Sequence, residues 1–183
     1  MMKIPFLKKK WLPEDQFTSR KALLKGWINP LNLKSRTQDA ILYTQDDLEH
    51  PQEVMGESFR QKIFIKQFGK HTKEGHWEEC QAILYPELEN DKDEFAVQVL
   101  IPAGPVGYLP RADAKKIQET LIRVMHQTQQ MIAVEAIVKG GWKRGFLGRD
   151  KGYFGIELSI DLKELKQQML GTLSDHEGHF KPE

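Results

Sequence analysis

With 183 residues, 39% of them apolar and 29% charged, the chain suits one domain with a substantial core plus tails, and is cramped for two. A formal net charge of +1 argues for neither nucleic acid nor membrane by itself, so electrostatic arguments rest on where the charges lie. The single cysteine, Cys80, excludes an internal disulfide and reads as a small buried apolar residue in a reducing compartment. No apolar run reaches bilayer length, and the lysines at 8–10 interrupt any leader, which predicts a cytoplasmic protein with no membrane partner.

Residues 1–51 differ from the rest: basic residues are concentrated before Arg36, and Asp39, Asp46, Asp47 and Glu49 follow it. Pro5, Pro13 and Pro30 interrupt any long helix, Arg20–Ile28 suits a short one, and Trp11 and Trp27 offer apolar anchors. The expectation is an arm, partly disordered or docked, ending at His50-Pro51. Val54–Ser58 then suits a short strand, and Phe59, Ile63, Phe64 and Phe68 fall near helical spacing before Gly69. Trp77–Tyr85 reads as a strand with Cys80, Ala82 and Leu84 on one face, ended by Pro86 and followed by an acidic loop, 87–94.

The most informative stretch comes next. Phe95–Ile101 alternates and is rich in β-branched residues, Pro102–Pro105 is a turn by composition, and Val106–Leu109 resumes the extended pattern. Pro110 suits the first helical position, with Ala114, Ile117, Leu121, Val124 and Met125 at helical spacing behind it, so the spacing predicts a helix that folds back onto the hairpin. Met131–Val138 is a strand broken by Gly140-Gly141, and Tyr153–Ile160 another, with Phe154, Ile156, Leu158 and Ile160 alternating. Asp161–Leu170 suits a terminal helix ahead of a tail. The reading is a mainly β domain over 52–162, with at least five strands and two helices, then a short helix and mobile tail over 163–183. Closing such strands into a small barrel removes the exposed edges of an open sheet.

The signatures of enzymes are missing: the sequence has no G-x-x-x-x-G-K-[ST] loop, no G-x-S-x-G elbow and no H-E-x-x-H. His71, His76 and Cys80, with His176 and His179 far off, lack the tight pairs of structural zinc sites, and Glu87, Glu89, Asp91, Asp93 and Glu94 lack calcium-loop spacing. No catalytic residue, metal or cofactor is expected. The stretch 139–154 carries Lys139, Lys143, Arg144, Arg149 and Lys151 against Asp150, interleaved with Trp142, Phe146, Tyr153 and Phe154. Cations beside aromatic faces suit single-stranded nucleic acid; a glycine-rich hairpin with a solvated basic tip is the other reading.

The order N-x-x-D-x-x-A-V-x-V, a turn, V-G-Y-L, a basic residue and an amphipathic helix (Asn90 onward) resembles the HIRAN domain, as do Val54–Phe59, Val138–Trp142 and Phe154–Leu158 around it. That resemblance implies an OB-like or SH3-like β-barrel of about five to six strands that captures the 3′ end of single-stranded DNA without catalysis. It makes Phe59 the aromatic that stacks on a base and Asp93 the acceptor of the terminal 3′-hydroxyl, a role a carboxylate fills while repelling a 3′-phosphate. Asn90 would shape the same loop, Tyr108 would face the strand, and Arg111, with Arg60 nearby, would hold phosphate. Lys139, Trp142, Lys143 and Arg144 complete the expected DNA-binding set. The implied role is an adaptor or sensor in DNA repair or replication, working with helicase or nuclease partner proteins. Two rivals stay open: a protein-interaction module using the groove between the Asn90 loop and the Gly140 hairpin, and an enzyme using the acidic loop with a metal.

Overall fold

The computed structural model describes residues 40–45, 48, 51–88, 90–145 and 149–178, with side chains as far as 175. The Arg20–Ile28 helix and the Trp11 and Trp27 anchors expected from sequence lie outside the described residues.

Among the described residues the fold is mainly β, a curled, largely antiparallel half-barrel with three α-helices. Its strands are β1 (Ala40–Tyr43), β2 (Gln52–Glu53), β3 (His76–Pro86), β4 (Val97–Ile101), β5 (Gly104–Tyr108), β6 (Met131–Gly140) and β9 (Phe154–Leu158), with a two-stranded tip, β7 (Lys143–Arg144) and β8 (Asp150–Lys151), between the last two. The order across the sheet is β2-β9-β6-β3-β4-β5. Alternation does what it predicts: Phe154, Ile156 and Leu158 of β9 and Val134, Ala136 and Val138 of β6 point into one core, while Glu135 between them faces water. The hairpin β4–β5 forms as read, and β4 is buried on both faces.

The two edges of this sheet meet. Gln52 and Glu53 pair with β9 at one edge, and two residues later Met55 exchanges both backbone hydrogen bonds with Tyr108 of β5 at the other. Gly107 permits the approach, since a Cβ there would lie 2.6 Å from the Met55 carbonyl oxygen and 2.5 Å from a Val54 methyl. This is a correction to the strand expected over Val54–Ser58. Gly56 adopts φ +88, a left-handed conformation that ends the extended run, and residues Glu57–Arg60 wind into a 3-10 turn instead.

From that turn α1 (Gln61–Phe68) crosses the open side of the barrel, and Phe64 plugs it, stacked parallel on Phe154 with ring centroids 5.7 Å apart. The helix ends at Gly69, whose N–H bonds to the Ile65 carbonyl. The long helix α2 (Arg111–Thr128) starts one residue later than read: Pro110 keeps an extended ψ of 138 and is the cap, not the first helical residue. All five apolar positions named for it are buried. Its main packing partner is α3 (Leu162–Gly178), with β3 and β6 beneath, rather than the hairpin it leaves.

The core extends past the 52–162 span on both sides. β1 joins β6 in parallel register, Ala40 opposite Met131, and Tyr43 is buried with its hydroxyl 2.8 Å from that of Thr172 on α3. Gln45 clasps the start of α3, accepting the Asp161 N–H at 2.5 Å and donating to the Asp161 carbonyl at 3.2 Å. Leu165, Met169 and Leu173 then bury one side of α3, giving the terminal helix a packing role.

Candidate nucleic-acid interface

The acidic loop is organised by Asn90. Its Oδ1 accepts the N–H groups of Lys92 and Asp93 at 2.9 and 3.0 Å, and its Nδ2 donates to Glu87 Oε2 at 2.7 Å. This is the local turn chemistry for which asparagine is suited. Asp93 Oδ1 in turn accepts the Phe95 N–H at 3.0 Å and sits 3.4 Å from Nε of Arg111, the first residue of α2. The Arg111 side chain is otherwise 68% exposed, so its guanidinium is aimed outward from a fixed base.

Tyr108 extends this chain toward β2. Its hydroxyl accepts from Gln98 Nε2 at 2.9 Å and lies toward the Glu87 carboxylate. Burial, first of all, pushes the phenol up, and Glu87 adds to that, while Gln98 and the Arg60 guanidinium pull it down. Arg60, Tyr108, Asn90, Asp93 and Arg111, from three stretches of sequence, thus belong to one polar array, linked through Glu87, which the sequence offered only as part of an acidic loop.

Phe59 stands beside Arg60 on the 3-10 turn and is 89% exposed, so the barrel core is not where it lies; Met55, which bridges Tyr108, is also exposed, at 54%. The turn carrying this bare ring is firmly held. Gln61 Nε2 donates to the carbonyls of Phe154 and Glu57, both at 2.9 Å, and Gln61 Oε1 accepts the Phe154 N–H at 2.8 Å. A side-chain amide here imitates a strand partner. Nothing in the spacing of Gln61 announces that role.

The basic hairpin is a separate group. Lys139 forms an ion pair with Glu157 across β6 and β9. Trp142 lies against Gly152 and under the Arg144 guanidinium, 5.2 Å from the ring centroid, and Arg144 Nε also donates to the Lys73 carbonyl at 3.3 Å. Trp142 and Arg144 therefore spend much of their contact surface on each other and on the tip. Lys143, Arg149 and Lys151 face water, as does Tyr153 at 71% exposure; Phe154 is core, and Phe146 lies outside the described residues. The Gln61–Phe154 clasp ties the base of this hairpin to the turn that carries Phe59.

Other candidates dissolve into packing. The rings of His71 and His76 lie 5.2 and 5.0 Å from that of Phe154, and among the described residues no group of three His, Cys, Asp or Glu side chains is arranged to hold a metal ion. Cys80 is half-buried and free, its thiol pushed up to about 11 by burial, which keeps it protonated and unreactive. No helix among the described residues is long and apolar enough to cross a membrane. Comparison with protein-family models, with curated proteins and with solved structures finds no match for this chain.

Proposed function

We propose that this protein is a HIRAN-like module that binds single-stranded DNA at its 3′ end, without catalysis, and serves as an adaptor or sensor in DNA repair or replication. The observation that carries this reading is Phe59, an aromatic ring held bare on a clamped turn beside Arg60 and the Tyr108–Glu87–Asn90–Asp93–Arg111 array. Covering a ring so exposed removes apolar surface from water, and base stacking on an aromatic is worth about 1–3 kcal/mol. Arg60 and Arg111 stand at the two ends of the array, where phosphates of a bound strand would lie.

Asp93 fits two tasks at once. An ionised carboxylate has roughly four lone-pair sites. The Phe95 N–H and Arg111 engage Oδ1, and the carboxylate is still 23% exposed, so capacity remains for a terminal hydroxyl. Glu87 and Asp91 make the same neighbourhood hostile to a terminal phosphate. The array would therefore read an end rather than a base sequence. The exposed pair Met55 and Phe59 also suits an apolar peptide, which is the second reading. A titration of labelled single-stranded oligonucleotide over a range of salt separates them: phosphate contacts make affinity fall steeply with salt, and a protein-binding surface leaves the oligonucleotide unbound throughout.

A further inference from the structure

The outward face of the sheet carries a charge pattern that the proposed function does not use. Strand register sets Glu79, Ile137, Glu157 and Glu53 in one row across β3, β6, β9 and β2. The row before it pairs Gln81 with Glu135, and the row after it runs Trp77, Lys139, Gly155. The carboxylate of Glu57 reaches over Gly155, where a Cβ would meet Glu57 Oε1 at 3.7 Å and no other neighbour. A cleft of about 160 Å³ opens there between Glu53, Glu57, Lys139 and Glu157.

Five glutamates thus face one lysine, itself paired with Glu157. In the row of Gly155 stands Trp77, across Lys139, and two residues before Gly155 stands Tyr153; they are 69% and 71% exposed. Burial first, then the neighbouring carboxylates of Glu53 and Glu157, push the Glu57 carboxyl up, against N–H groups of Glu57 and Ile156 that pull it down. Phosphate is repelled from this face. A cationic chain is attracted to it, and the two aromatic rings suit Lys and Arg stems and heads.

The sequence supplies such a chain. Residues 1–39 hold nine Lys and Arg against three Asp and Glu, leaving 18 against 23 for residues 40–183. The near-neutral whole is therefore a cationic segment joined to an anionic domain. The segment enters the domain at Ala40, in the same sheet, where β1 lies along β6. The distance from Met131, opposite Ala40, to Lys139 is about 26 Å at strand rise, a span that a fraction of 39 residues covers. Because segment and face belong to one chain, their association is intramolecular and independent of protein concentration.

We infer that residues 1–39 dock in cis on the acidic sheet face bounded by Trp77, Glu79, Glu157 and Glu53. Docking shields from solvent the cations that would otherwise be open to nucleic acid, so the same segment is withheld from phosphate while it occupies the face.

A zero-length carbodiimide reagent, which joins lysine amines to carboxylates in contact, tests this on the full chain at dilute concentration. The expected map joins lysines of residues 1–39 to Glu53, Glu79, Glu135 and Glu157 within one molecule, and the yield falls several-fold when salt rises from low to 0.5 M. Glu53→Lys with Glu79→Lys and Glu135→Lys should lower those cross-links at least fivefold while leaving the circular dichroism spectrum unchanged. Cross-links spread evenly over carboxylates elsewhere, such as Glu119 and Glu164, overturn the inference. So do cross-links found only between molecules, which would assign the face to a second copy. If the triple variant fails to fold, the wild-type map decides alone. Oligonucleotide affinity does not enter this test, so failure of the end-binding reading leaves it intact.

Discussion

Met55 and Tyr108 are joined by a pair of backbone hydrogen bonds of 2.8 and 2.9 Å, although no other residue of the 52–60 segment bridges β5. That exchange draws together three things the proposed site needs. It closes the half-barrel, it sets Tyr108 near Glu87, and it places the Glu57–Arg60 turn, with Phe59 on it, against β5, with Arg60 near the Tyr108 hydroxyl.

Gly107 is the residue that makes the exchange sterically possible, so Gly107→Ala forces backbone to move rather than a flexible side chain. Overpacking of this kind costs about 1–3 kcal/mol. Urea unfolding should show a lower midpoint with unchanged slope, and affinity for single strands should fall beyond what the lost stability explains. Wild-type stability in this variant would mean that the Met55 bridge is not holding the barrel closed.

Where the N-terminal boundary lies follows from Tyr43 and Gln45. Removing residues 1–39 should leave one cooperative transition, whereas removing 1–45 strips β1 from β6 and a buried tyrosine from the core. Burial of an aromatic side chain contributes about 1.5–3 kcal/mol. The longer truncation should unfold at least several degrees lower by calorimetry, and equal melting of the two would show β1 to be dispensable.

The parts of this architecture that were legible in the sequence are those written by periodicity and turn chemistry. Val97–Ile101 with its PAGP turn, the Ala114–Met125 stripe and the Phe154–Leu158 alternation all follow from side chains pointing where the backbone period sends them. Asn90 and Asp93 stood out in the sequence only through the HIRAN resemblance, and in the structure both bond backbone N–H groups of their own loop. β1 was hidden because a parallel pairing needs no turn beside it and four residues carry too little pattern. The Val54–Ser58 strand failed on one glycine whose left-handed φ composition alone does not disclose. The role of Gln61 and the relation of Glu87 to Tyr108 were invisible for a different reason: Phe154 and Tyr108 are distant in sequence and meet them only in the folded barrel.

Phe59→Ala tests whether the exposed ring has a ligand. Because the ring is bare, the change should leave the melting temperature within a degree or so. Loss of one stacked base should weaken binding by about 1–3 kcal/mol, roughly five- to 150-fold. A variant that binds like the wild type removes Phe59 from the site.

Asp93→Asn keeps the size of the side chain and replaces a charged acceptor by an amide. The Phe95 N–H keeps a carbonyl oxygen, but the pairing with Arg111 weakens, as does any bond to a terminal hydroxyl, by about 1 kcal/mol. Repulsion of a terminal phosphate falls too. Discrimination between the two ends should therefore shrink from both sides, as read by competition between otherwise identical strands.

The most direct test of end recognition is one titration of the wild-type protein against two single strands of the same sequence, one ending in a 3′-hydroxyl and one in a 3′-phosphate, at fixed salt. Recognition of the terminus through Asp93 predicts tighter binding to the hydroxyl end by about tenfold, since a charge-assisted bond is gained on one strand and a like-charge contact imposed on the other. Equal affinity for the two strands, or no measurable binding to either, would contradict it.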